Sequence, residues 1–223
     1  MERAVVIVSG GIDSSVLLYD TLNKGFTVNC LTFLYGQKHR REVDSAVYIC
    51  NLKGVPHKLI DLSSLKTVFS GSALTDDNVS IPEVNGITGS FNTLKTTIVP
   101  NRNSIFLSIA IGFAYSIGAD TVFFGAHHSD RGVYPDCRKE FVQAFEIAER
   151  LANDRPSMSV KAPFVDLEKS EIVRLGSRLN IPFEKTWSCY KGGSEHCGSC
   201  SSCSERKRAF LESGIEDPTV YSL

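Results

Sequence analysis

The sequence has almost no net charge. Its 24 Lys and Arg residues stand against 25 Asp and Glu, leaving −1 over 223 residues. Such a balance gives no global electrostatic reason to bind nucleic acid or an anionic membrane. It also lacks any run of the roughly 18–20 apolar residues that a membrane span needs. The apolar stretch near its start, Ala4-Val5-Val6-Ile7-Val8, is too short for a secretory signal, so a soluble cytoplasmic chain is expected. Internal repeats and low-complexity tracts are missing as well, which sets aside solenoids and linkers. What remains is globular: 42% hydrophobic and 22% charged residues fit one large domain or a domain with an appendage.

The cysteines are unevenly spread. Cys30, Cys50 and Cys137 are scattered, whereas Cys189, Cys197, Cys200 and Cys203 crowd into one stretch. A cytoplasmic setting keeps thiols reduced, so the crowding points to a metal site and not to disulfides.

Hydrophobic patterning alternates between two periods. Residues 4–8 are a continuous β-branched run stopped by Ser9-Gly10-Gly11, the pattern of a buried strand. From Ser14 the apolar positions recur at helical spacing until Gly25. Residues 26–35 and 57–62 read as strands and 40–52 as a helix. Further helices are expected at 103–117, 140–151 and 168–179, with strands at 121–126 and 159–163 and a last basic helix around 204–211. This alternation predicts an α/β fold: a Rossmann-like parallel sheet flanked by helices. The expected division is a main domain at 1–185 and a small four-cysteine appendage at 186–223. Segment 70–99 breaks the rhythm, being rich in Gly, Ser, Thr, Asn and Asp, and its length suits a mobile lid.

The sharpest motif joins the first strand to the first helix. Val8-Ser9-Gly10-Gly11-Ile12-Asp13-Ser14-Ser15 offers two glycines for close backbone approach, free N–H groups at a helix start, and three hydroxyls sized for phosphate oxygens. It is not a Walker A loop, whose Lys-Ser/Thr ending is absent. A plain capped turn would account for the glycines alone; Asp13 and the hydroxyls favour phosphate. This strand–S-G-G-x-D-S–helix arrangement resembles the loop of the N-type ATP pyrophosphatases. The resemblance implies that the β,γ-pyrophosphate of ATP lies on the loop and that AMP is transferred to a substrate oxygen.

Four thiolates spaced C-x7-C-x2-C-x2-C can close a tetrahedral zinc site, with an iron–sulfur cluster as the rival and His196 as a spare ligand inside the loop. Closed coordination by four cysteines leaves no open position, so a structural role is expected. Arg102, in Val99-Pro100-Asn101-Arg102-Asn103, falls near a helix start where its charge opposes the dipole. An anionic partner explains a cation there, and so does simple solvation. After the strand at 121–126 come His127-His128 and then Tyr134-Pro135-Asp136-Cys137-Arg138. Asp136 can pair with the N–H groups of a guanine-like base or cap the next helix; Cys137 is a nucleophile or an inert small hydrophobe.

In this order, together with Ala162-Pro163-Phe164-Val165-Asp166-Leu167-Glu168-Lys169, the motifs resemble the QueC family of 7-cyano-7-deazaguanine synthases over nearly the whole chain. The resemblance implies a carbon–nitrogen ligase that activates 7-carboxy-7-deazaguanine with ATP, adds ammonia, and dehydrates the amide to a nitrile after a second adenylation. It implies ATP, Mg²⁺ and Zn²⁺ as cofactors and a homodimer. Residues 8–15 would then hold pyrophosphate, with Asp13 holding the metal or fixing the loop. Lys161 and Lys169 would contact ATP phosphates, although Lys169 could equally be a solvated charge on its helix. Ser9, Asp13, Arg102 and Lys161 would carry the chemistry; Arg102, Tyr134, Asp136 and Arg138 would bind the acid. Rival readings are a ligase that stops at the amide or acylates another amine, and a zinc module that binds nucleic acid through Arg206, Lys207 and Arg208.

Overall fold

The computed structural model describes residues 2–83 and 94–222. Five strands form one parallel sheet: β1 (Arg3–Ile7), β2 (Thr27–Leu34), β3 (His57–Asp61), β4 (Thr121–Phe123) and β5 (Ser159–Lys161), in the spatial order β3-β2-β1-β4-β5. Among the described residues these α-helices cover it: α1 (Ile12–Asn23), α2 (Arg41–Leu52), α3 (Arg102–Ile117), α4 (Lys139–Asn153), α5 (Lys169–Arg178) and α6 (Ser201–Ser213). None among the described residues is long and apolar enough to cross a membrane. The α/β expectation and its flanking helices are therefore met.

The central strands β1 and β2 are mostly apolar because both their faces are buried. From β1, Ala4 and Val6 point into a core with α1, α2, α5 and α6, whereas Val5 points into a second core with α3 and α4. In β2, Val28 and Cys30 join the first core and Leu31 and Phe33 the second. Strand β4 is shorter than its apolar run, ending at Phe123. Phe124, Gly125 and Ala126 continue past the sheet towards the cleft.

Chain order sets the position of the site. The chain runs outward from β1 through β2 to β3, then returns to the other side of β1 for β4 and β5. The carboxyl ends of β1 and β4 thus diverge at a switch point, the usual ligand crevice of an open α/β sheet.

The cysteine-rich end is continuous with the main core. Ala209 and Phe210 of α6 belong to the first core, and Phe210 packs edge-on against Phe183 at 5.1 Å. Arg206 is fully buried. It donates to Thr186 Oγ1 at 2.8 Å and the Phe183 carbonyl at 2.9 Å, and pairs with Asp217 Oδ1 at 3.3 Å. Of the basic run of α6 only Arg206 is turned inward: Lys207 is exposed, reaching the Gly198 carbonyl and the Tyr221 ring, and Arg208 pairs with Glu212 along the helix.

Asp217 is held below its ordinary pKa: burial opposes this, but hydrogen bonds from Tyr221 and Thr219 and the Arg206 charge outweigh it. A depressed folded value means that its stabilisation is full above 3.8 and is lost as pH falls through the lower folded value. Arg206→Leu strands this carboxylate and two acceptors, and is expected to cost about 3–5 kcal/mol in urea unfolding.

The described parts of 70–99 are packed. Ala73 donates its N–H to the Thr96 carbonyl at 2.7 Å, Lys38 Nζ reaches the Val79 carbonyl, and Glu83 forms a bridge with Cys200. Ala73, Thr75, Thr97 and Val99 are buried. Residues 84–93 of the expected lid lie outside the described residues.

Candidate active site

The loop between β1 and α1 folds tightly for a steric reason. Gly10 has φ +91°, and a Cβ there would lie 2.0 Å from the Glu42 carbonyl oxygen and 2.8 Å from the Ala46 nitrogen. Only glycine fits between the loop and α2. Gly10→Ala must move backbone, and is expected to lower stability by at least about 2 kcal/mol, measured by urea unfolding. Ser14 Oγ accepts from the N–H groups of Ser9 at 3.1 Å and Gly10 at 3.2 Å, and lies 3.1 Å from Ser9 Oγ. Gly125, after β4, comes close from the other side: a Cβ there would be 3.3 Å from Ser14 N.

A cleft of about 250 Å³ opens over this switch point. One end is polar. Asp13, in the first turn of α1, places Oδ2 at 3.1 Å from Lys169 Nζ and 3.8 Å from His127 Nε2. Lys169 opens α5 and also reaches Glu205 Oε2 at 2.7 Å. His127 Nε2 lies 3.4 Å from Asp130 Oδ2. Burial would lower the Lys169 pKa, yet Asp13 and Glu205 hold it above the lysine range. Burial would raise Glu205, yet Lys169 and His127 hold it down to about 2. Asp130 is raised, chiefly by burial.

The other end is aromatic around one guanidinium. Arg102, in the first turn of α3, lies 5.8 Å from the Tyr35 ring centroid, with Tyr134, Tyr190 and Cys137 close by. Phe106 stacks on Phe33 at 4.2 Å beside them. Tyr134 OH lies 2.7 Å from Thr97 Oγ1. Glu42 borders the same end; burial raises its pKa, against the pull of Arg102. Among the described residues Arg102 forms no ion pair within 4.0 Å, so its charge is available to a ligand.

Several residues singled out in the sequence come together here. Val8, Ser9, Gly11, Ile12, Asp13, Ser14, Arg102, Tyr134, Cys137 and Lys169 line the cleft. Gly10 and Ser15, both buried, do not line it. Asp136 does not line it: Oδ2 accepts from the Asn103 N–H at 3.2 Å, so it caps α3, not the helix that follows it. Asn101, at φ 58°, makes no side-chain cap itself. Arg138 is exposed and donates to the Arg131 carbonyl at 3.0 Å. Lys161 is exposed on edge strand β5, 5.9 Å from the Phe123 ring centroid, away from the cleft lining. Glu205, Tyr35, Tyr190 and Phe106 are among the lining residues that sequence reasoning does not name as site residues.

Two donor sets suit cations. Asp13 Oδ1 is buried without a hydrogen-bond partner among the described residues, a hard oxygen beside the loop of the kind Mg²⁺ takes. The sulfurs of Cys189, Cys197, Cys200 and Cys203 all lie within 4.8 Å of one another. Cys197 Sγ and Cys203 Sγ are 3.9 Å apart, against about 3.8 Å for the edge of a tetrahedron with 2.3 Å metal–sulfur bonds. Backbone N–H groups of Lys191 and Cys197 point at Cys189 Sγ and that of Cys200 at Cys197 Sγ, each at 3.3 Å, as around thiolate. His196 is turned elsewhere: Nε2 accepts from Ser188 N–H at 3.0 Å.

The sequence model described as "Queuosine biosynthesis protein QueC" matches residues 3–214. The chain belongs to the QueC family. It is 50% identical over 218 residues to a 7-cyano-7-deazaguanine synthase of Archaeoglobus fulgidus, covering 98% of this chain and 90% of that protein. A 7-cyano-7-deazaguanine synthase of Caldicellulosiruptor saccharolyticus is 45% identical over 223 residues, covering 99% of this chain and 96% of its own. Membership makes this QueC chain a carbon–nitrogen ligase. Among solved structures, NMN synthetase from Francisella tularensis shares the fold at a TM-score of 0.54 and 13% identity, over 96% of this chain and 78% of that one.

Proposed function

We propose that this QueC chain converts 7-carboxy-7-deazaguanine and ammonia to 7-cyano-7-deazaguanine at the expense of two ATP. The observation that carries this reading is the cleft with two unlike ends: a glycine-tight hydroxyl loop beside Asp13 and Lys169, and Arg102, without an ion pair among the described residues, amid aromatic rings. A carboxylate is a poor electrophile, so its oxygen attacks the ATP α-phosphorus and pyrophosphate leaves. Ammonia then attacks the acyl-adenylate, and AMP departs with the amide. A second adenylation on the amide oxygen lets AMP leave as the C≡N bond forms.

The chain's residues divide the work. The loop N–H groups and the hydroxyls of Ser9 and Ser14 face the pyrophosphate, and Lys169 offsets its charge. Mg²⁺, held by Asp13, supplies further charge neutralisation when bound. Arg102 takes the substrate carboxylate while Phe106 and the tyrosines sandwich a flat heterocycle. Asp136 acts at one remove, fixing the start of the helix that presents Arg102. The four cysteines hold Zn²⁺ as a structural ion: a multi-iron cluster would spread sulfurs that here lie within 4.8 Å. A cytoplasmic setting, which keeps these thiols reduced, and a homodimer belong to the same reading and rest on family membership.

The test is the mass of the product from 7-carboxy-7-deazaguanine, ammonium and Mg-ATP, with AMP counted alongside. A nitrile with two AMP supports the proposal. An amide with one AMP would reduce the chain to a single-step ligase.

A further inference from the structure

Lys169 is claimed by two carboxylates at once, Asp13 at 3.1 Å and Glu205 at 2.7 Å, from two different helices. The two are not equivalent. Asp13 keeps a second, buried oxygen with no partner beside the phosphate loop, so it can turn to a cation that arrives with a polyanion. Glu205 comes from α6, where Ser202, three residues earlier on the same helix face, also borders the cleft.

We infer that Glu205 is a positioning residue: it keeps Lys169 aimed at the phosphate end of the cleft once Asp13 is engaged by the metal that accompanies pyrophosphate. The inference rests on the pyrophosphate reading of the loop given above. A lysine has four flexible side-chain bonds, and fixing it costs rotamer freedom. A carboxylate that holds it beforehand meets that cost before the ligand binds. The same contact ties the cysteine cluster to the phosphate end. Helix α6 begins at its cap Cys200 and carries Cys203 in its first turn, so the fix on that turn sets the direction of Glu205.

Charge alone argues the other way, since removing a carboxylate reduces repulsion of pyrophosphate. Positioning wins if Lys169, released by Glu205, closes fully on Asp13 and occupies the oxygen the metal needs. These two effects predict opposite signs.

The experiment is calorimetric titration of the metal-replete protein with magnesium pyrophosphate, for wild type, Glu205→Gln, Lys169→Met and the double variant. Turnover is not required. Glu205→Gln is expected to weaken binding about 10- to 100-fold, and to add nothing in the Lys169→Met background. Unchanged or tighter binding by Glu205→Gln overturns the inference, as does an additive double variant. Wild type that fails to bind magnesium pyrophosphate would sink the loop reading itself, and this inference with it. Metal content and the unfolding midpoint of each variant are read in parallel. Should Glu205→Gln lose its metal, Glu205→Asp enters the same cycle. It is expected to weaken binding only where Lys169 is present; equal loss without Lys169 overturns the inference.

Discussion

Arg102→Gln is expected to lower kcat/KM for the deazaguanine acid by about 100- to 1,000-fold while pyrophosphate affinity stays within about threefold. The size follows from a bidentate, charge-assisted contact in a secluded site, about 3–4 kcal/mol. Arg102 opens α3 where the dipole disfavours it, and its neighbours are phenols whose ionisation is pushed up: Tyr35 and Tyr134 chiefly by burial, Tyr190 by Tyr134 and by burial. Neutral phenols do not neutralise a guanidinium. Burial pushes up the pKa of Glu42, the carboxylate bordering this end, and on the proposed function the substrate carboxylate supplies the countercharge. Steady-state kinetics in the acid, with calorimetry for pyrophosphate, separates the two ends of the cleft. Equal loss at both would mean that Arg102 holds the fold and not the acid.

Cys203→Ser, or removal of the metal by a chelator, is expected to abolish ligase activity and lower Tm by more than about 10 °C, with zinc restoring only the chelated wild type. Serine places a hard oxygen where three soft sulfurs favour a soft ion. The damage spreads because the cluster is wired into the cleft. Trp187, Ser188 and Tyr190 flank Cys189 and border the cleft, and α6 carries Ser202 and Glu205 to it from Cys203's own turn. Structural sites of this kind supply folding free energy outright, so loss of several kcal/mol moves Tm by that amount in a chain of 223 residues. Activity measured against bound zinc, with the melting curve recorded at each point, checks this. Full activity in metal-free protein would contradict the structural role.

The sequence was readable where one local pattern had one physical cause. Residues 4–8 are apolar at every position because β1 is covered on both faces, and the Ser9–Ser15 loop announces itself because tight packing on α2 permits glycine alone at position 10. The four cysteines are legible because the short spacings of Cys197, Cys200 and Cys203 suit tight metal-binding turns. Lys169 was ambiguous, a phosphate contact or a solvated charge, because its two carboxylate partners lie 156 and 36 residues away in the chain (169 − 13 and 205 − 169). Glu205 looked like one charge of a basic helix for the same reason.

The inward turn of Arg206 was equally hidden: a run of Arg206, Lys207 and Arg208 reads as a solvated or nucleic-acid face until Asp217 and Thr186 are brought to it. Asp136 reads from the sequence as a contact to a guanine-like base or as a cap of the helix after it, yet its partner Asn103 is 33 residues earlier, which no helix-start rule anticipates. The aromatic end follows the same logic, since Tyr35, Phe106, Tyr134 and Tyr190 come from four separate segments that only the sheet order gathers.

The most direct test of the account is the fate of the carboxylate oxygens. With 7-carboxy-7-deazaguanine labelled by ¹⁸O at both carboxylate positions, the account predicts two AMP per nitrile, each carrying one ¹⁸O on phosphorus. Label found in inorganic phosphate, or AMP without label, would contradict adenylation as the means of activation.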